Sequence, residues 1–95
     1  MLYSVIIPCY KSDQTIEHVV RETREEMVRL GKADVEFILV NDCSPDGGKT
    51  IEVLKKMAAE HADVKVIDLA RNSGQHNALM AALRHADGDV IIGMD

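Results

Sequence analysis

Short apolar runs alternate with stretches of helical periodicity along this chain. Leu2 to Cys9 is a continuous apolar, β-branched run ending around Pro8, which suits a strand buried on both faces. From Ile16, the residues Val19, Val20, Thr23, Met27 and Leu30 recur at helical spacing and predict a helix introduced by Ser12 or Asp13 and stopped at Gly31. Val35 to Val40 reads as a second buried strand, and Ile51, Leu54 and Ala58 mark a second helix running to about His61. Val64 to Leu69 is the third strand. A third helix opens at Gly74 or just before it, with a small-residue face of Ala78, Ala81 and Ala82 and a bulkier one of Leu79, Met80 and Leu83. Asp89 to Met94 is the fourth strand.

The order β-α-β-α-β-α-β calls for an α/β fold of Rossmann-like kind: four parallel strands, right-handed crossovers and helices on both faces. Such sheets bind ligands outside the carboxyl ends of their strands. Here those ends are Pro8 to Tyr10, Asn41 to Ser44, Leu69 to Asn72, and Asp95, and the unusual polar clusters of the sequence fall on them. No internal repeat, low-complexity tract or linker interrupts the pattern.

Composition narrows the choice of partner. The 95 residues suffice for one domain, or part of one, and are 46% hydrophobic and 28% charged, as in a folded globular chain. With 16 acidic against 11 basic residues and a net charge of -5, a broad nucleic-acid footprint is not expected. Apolar runs fall far short of the ~20 residues a membrane span needs, and no signal-peptide pattern opens the chain. Cys9 and Cys43 lack the spacing of a zinc site and point to reduced thiols in a cytosolic setting.

The stretch Asn41 to Thr50, NDCSPDGGKT, ends like a phosphate-cradling loop. That pattern requires glycine where Cys43 stands, and Asp42 and Asp46 would set negative charge beside the phosphate, so Gly47 and Gly48 read as turn residues opening a helix. The dinucleotide glycine fingerprint is absent. Asp42 instead offers a carboxylate at a strand tip, able to accept an N–H from a planar base in a charge-assisted bond of ~1.5–3 kcal/mol. Its other reading is a helix cap, a job for which Asp46 is better placed. Tyr10 could stack on a base or simply pack, and Arg71 and Asn72 could meet a ligand carbonyl or phosphate or belong to a surface loop. His76, in the first turn of the third helix, reads as a capping or partner-facing residue. Asp95 pairs with Asp42 as a strand-end carboxylate suited to a cation or a ribose hydroxyl, or else is a terminus without a role.

Four stretches in order, SVIIPCYKSDQTI (Ser4 to Ile16), VNDCSPDGG (Val40 to Gly48), RNSGQHNALMAAL (Arg71 to Leu83) and GDVIIGMD (Gly88 to Asp95), resemble the N-terminal half of a family-two inverting glycosyltransferase of the GT-A type. The resemblance covers nearly the whole chain and implies that residues 1–95 form the nucleotide-binding part of such a domain, without its acceptor half. It implies nucleotide-binding roles for Pro8, Tyr10, Asp42, Arg71, Asn72 and Asp95, with Asp95 as the first Asp of an Asp-x-Asp motif that contacts ribose and a diphosphate-bound Mg or Mn ion. Asn72 and Gly74 match the turn that sets the third helix against the nucleotide. Asn41 stands where the family often has Asp, and Cys43 where it often has Gly. No catalytic base is expected within these residues.

The implied activity is sugar transfer, with inversion, from a nucleotide-sugar donor, expected to be UDP-linked. The GQHNALMAAL stretch further resembles the branch that uses polyprenyl-phosphate acceptors, and the expected setting is the cytoplasm or the cytoplasmic face of a membrane. A rival from another class is a flavodoxin-like module in which strand-end acids hold Mg and receive a phosphoryl group. Such a module would cluster acids after the first strand, where this chain has Pro8, Cys9 and Tyr10.

Overall fold

The computed structural model describes residues 1–9, 11–32, 34–42, 47–69 and 74–94, and of Asp42, Leu69 and residues 74–79 the backbone alone. The elements are β1 (Tyr3–Cys9), α1 (Ile16–Arg29), β2 (Val35–Asp42), α2 (Lys49–Glu60), β3 (Val64–Leu69), α3 (Gly74–His85) and β4 (Val90–Gly93). All strand pairings are parallel and the sheet order is β3-β2-β1-β4. The predicted order and strand direction hold. β2 runs two residues further than its apolar pattern, through Asn41 and Asp42, because both continue to pair with β3.

Strand order decides which face each helix covers. The chain steps β1 to β2 to β3 in one direction, then returns past β1 to place β4 on the far side. Right-handed crossovers therefore put α1 and α2 on one face and α3 on the other. The core follows this division. Val5, Ile7 and Cys9 of β1 and Phe37 and Leu39 of β2 pack with Ile16, Val20 and Met27 of α1 and Leu54 and Met57 of α2. Ile6, Ile38 and Val40 point the other way, against Ala82 of α3.

The small-residue face of α3 is the one that packs: Ala82 is fully buried while Met80 and Leu83 are exposed. Alanine lets the helix sit close to the β-branched rows beneath it. Leu30, which the spacing placed on the apolar face of α1, is exposed at the helix end. There Gly31 takes φ 76° while Lys32 N–H donates to Met27 O at 2.8 Å and Gly31 N–H to Val28 O at 3.0 Å. This double closure stops the helix where Gly31 was expected to stop it.

Two expected caps move. The N-cap of α1 is Thr15, without a side-chain hydrogen bond; Ser12 contributes its carbonyl, accepting from Thr15 N–H at 3.1 Å and Ile16 N–H at 3.0 Å. At α2 the N-cap is Gly48, with φ 87°, and Asp46 lies outside the described residues.

Glu36 is the one charged residue among the described buried ones, sitting within an otherwise apolar strand. Ser4, level with it on β1, donates its hydroxyl at 2.5 Å, and Asp87 N–H donates at 2.7 Å, both to Oε2. Lys65 Nζ stands 2.7 Å from Oε1 and 2.6 Å from Asp87 Oδ2. Ser4 Oγ also accepts Gly88 N–H at 2.8 Å. Three residues from β1, β3 and the link after α3 thus close on one carboxylate of β2, Gly88 joins them through Ser4, and together they fix where β4 begins. Burial alone pushes the Glu36 carboxyl up, but hydrogen bonds from Lys65, Ser4 and the Asp87 N–H, with the Lys65 charge, outweigh it and hold the group below the ordinary 4.5.

A carboxyl depressed in the folded state contributes stability above its unfolded value and loses it as pH falls through the folded one. Glu36→Gln is therefore expected to lower stability by about 1–2 kcal/mol at neutral pH, and to flatten part of the acid decline below the ordinary 4.5. Urea unfolding of both proteins from pH 7 to pH 3 checks this; parallel curves would rule the carboxylate out. Gly88→Ala is expected to cost ~1–3 kcal/mol by crowding, because its Cβ would lie 2.7 Å from the Ser4 backbone nitrogen. A melting temperature equal to the parent's would show that the link can shift aside.

Candidate nucleotide-binding edge

Parallel pairing brings all four strand ends to one edge. Pro8 pairs with Val40, Cys9 with Asn41, Asn41 with Asp68 and Asp42 with Leu69, so the ends of β1, β2 and β3 are level. At β4, Gly93 pairs with Ile6, and Met94 N–H donates to Ile6 O at 2.9 Å. The chain direction reverses its walk across the sheet between β1 and β4, which makes their shared edge the switch point at which open α/β sheets bind ligands.

Of the expected site residues, the structure places Pro8 in β1, half-buried, and the backbone of Asp42 as the last residue of β2. Tyr10, Arg71, Asn72 and Asp95 lie outside the described residues, as do Cys43 and the side chains of Asp42 and His76. What is visible is the frame from which they start: Tyr10 follows β1, Arg71 and Asn72 follow β3, and Asp95 follows Met94.

That frame is tied at two points which periodicity does not reveal. Ser12 N–H, in the β1–α1 connection, donates to Thr50 Oγ1 at 3.1 Å, and Thr50 is fully buried. The Thr of the loop-like GKT thus clasps the first connection to the start of α2, a structural task, while Lys49 is exposed. The rejected phosphate loop would have needed that hydroxyl for a cation.

The second tie is between strands. Asn41, only 6% exposed, donates through Nδ2 to Asp68 Oδ1 on β3 at 2.8 Å, while its own Oδ1 is buried without a partner among the described residues. A hydrogen bond to a charged group contributes ~1.5–3 kcal/mol, and a buried unpaired acceptor costs ~1–3 kcal/mol. The two roughly cancel. The sequence signal was a polar residue continuing the inward series Phe37, Leu39, Asn41, with an Asp opposite; it becomes readable only once register is known.

Cys9 ends β1 beside Asn41 but brings no nucleophile to this edge. Burial pushes its thiol up to about 12, against a smaller opposing effect of the Val40 backbone, and its Sγ donates to Ile7 O at 3.3 Å. Among the described residues no three His, Cys, Asp or Glu side chains converge on a metal position. Asp95, the expected cation ligand and a hard oxygen donor of the type Mg and Mn prefer, lies outside the described residues, and the β4 pairing brings the chain to the common edge just before it. No helix of the described residues is long and apolar enough to cross a membrane.

The same architecture recurs in solved structures. The mannosyltransferase PcManGT from Pyrobaculum calidifontis, solved in complex with GDP-Man and Mn2+, is 28% identical and superposes with a TM-score of 0.76 over 94% of this chain and 25% of its own. TarS residues 1–349 from S. aureus is also 28% identical, with a TM-score of 0.79 over 100% of this chain and 27% of its own. The chain therefore spans about a quarter of either structure, and the Rossmann-like α/β fold expected from its pattern is the fold they share at that part. The model of the family described as Glycosyl transferase family 2 matches residues 4–95. The motifs at the four strand ends and this match over nearly every residue lead to one placement: the chain belongs to glycosyl transferase family 2.

Proposed function

We propose that residues 1–95 form the nucleotide-binding part of a glycosyltransferase that takes its sugar from a nucleoside-diphosphate donor and transfers it with inversion. The observation that supports this most directly is the register that levels the ends of β1, β2 and β3 and brings β4 to the same edge. Pro8 and Asp42 belong to the ends of β1 and β2, and Tyr10, Arg71, Asn72 and Asp95 come within three residues of the ends of β1, β3 and β4 in the chain. In this reading Asp42 accepts an N–H of the base, Tyr10 stacks on the base, Pro8 shapes the wall beside it, Arg71 contacts the base, and Asn72 with Gly74 forms the turn that sets α3 against the nucleotide. Asp95 takes the ribose and, with the diphosphate, holds Mg or Mn. The cation supplies neutralisation of the charge that develops on the leaving diphosphate.

The donor base is a matter of hydrogen-bonding pattern. Uracil offers one ring N–H to Asp42, and guanine offers an N–H and an amino group, so the same carboxylate serves either. UDP follows from the sequence resemblance, and a relative solved with GDP-Man makes GDP the comparison ligand. For the acceptor we propose a polyprenyl phosphate, on the likeness of GQHNALMAAL to that branch; its phosphate is already anionic and asks less of a base. Transfer would then take place at the cytoplasmic face of a membrane. The flavodoxin-like alternative is not carried forward, since β1 ends in Pro8 and Cys9 and the chain belongs to a transferase family.

Titration of the protein with UDP and with GDP, each with Mg, tests the reading. Asp42→Ala is expected to weaken binding of the preferred nucleotide by about 1.5–3 kcal/mol, roughly ten- to 150-fold. Unchanged affinity would remove Asp42 from the base contact. Failure of the parent to bind either nucleotide would overturn the proposal.

A further inference from the structure

The Asn41–Asp68 bond is not explained by packing or by stability. Phe37 and Leu39, on the same face of β2, are fully buried apolar residues, and an apolar side chain at position 41 would continue their series. The chain keeps an amide there whose one hydrogen bond is offset by a buried acceptor left unpaired. Because Asp68 accepts through Oδ1, the amide is oriented with Nδ2 toward β3, and its Oδ1 is too enclosed for a ligand to touch.

What the bond does do is local. Beyond Asn41↔Asp68 one further rung remains, Asp42↔Leu69, the last described residues of β2 and β3. Strand ends fray when their last rung is unsupported. A side-chain bond at the penultimate rung holds β2 against the edge strand β3 at the point where the next residue is Asp42. We infer that Asn41 and Asp68 are a positioning pair: together they fix the backbone of Asp42, and the end of β3 at Leu69, for the nucleotide. This rests on the nucleotide-binding reading given above. Neither residue touches the ligand.

The test compares thermal unfolding with UDP and GDP affinity in the full chain. Asn41→Leu is expected to melt close to the parent temperature yet bind the preferred nucleotide roughly five- to tenfold more weakly. Asp68→Ala, which alters an exposed side chain, should weaken binding similarly and keeps the idea testable if Asn41→Leu does not fold. The exchange Asn41→Asp with Asp68→Asn restores a donor opposite a carboxylate and should return affinity to within about twofold of the parent. A purely structural pair would give the opposite pattern, a lower melting temperature with affinity intact, and would sink the inference. Parent binding with all three variants unchanged would sink it too. Should the parent bind neither nucleotide, the broader reading falls and takes this inference with it.

Discussion

A single buried carboxylate sets where the last strand of this sheet begins. Glu36 occupies a row of β2 that is otherwise apolar, and burying an ionised group without partners would cost several kcal/mol. Its oxygens are met by the Ser4 hydroxyl, the Asp87 N–H and the Lys65 ammonium. Three strands and the link after α3 thereby share one network, and Gly88 must lack a side chain to approach Ser4 so closely. The link then continues into Asp89 and Val90, both of which donate their N–H to Leu2 O, and β4 is set in register on β1.

That polar lock lies at the amino end of the sheet, remote from the carboxyl edge, yet the position of β4 at that edge depends on it. The strand that leads to Asp95 is the one whose start the lock defines. At the opposite end the ties are smaller and sit beneath the connections: Ser12 to Thr50 between the first loop and α2, and Asn41 to Asp68 between β2 and β3.

Much of this was legible in the residue pattern. Continuous β-branched runs announced strands covered on both faces, β3 runs over the residues expected of it, and α3 opens at Gly74 as expected. Gly31 marked its helix end because only a left-handed residue closes that turn without strain. The caps were less legible. Ser12 and Asp13 look like caps by residue type, but the helix starts at Ile16, since Ser12 uses its backbone carbonyl rather than its side chain. Leu30 was misplaced because spacing continues past the point at which a helix has already turned away.

The sequence by itself determined the alternation of strands and helices, the parallel sheet, the edge at which ligands gather and the family resemblance of its four strand-end motifs. These depend on local periodicity and on residue types close in the chain. Only the tertiary structure decided that β4 crosses to the far side of β1, that Ala82 of α3 packs on the sheet while Met80 and Leu83 stay exposed, and that Glu36, Thr50 and Asn41 are ties rather than spare polar residues. Each of those depends on which residues from distant segments share a rung or a face, and hydrogen bonds across 27 to 84 positions of sequence leave no mark on local periodicity.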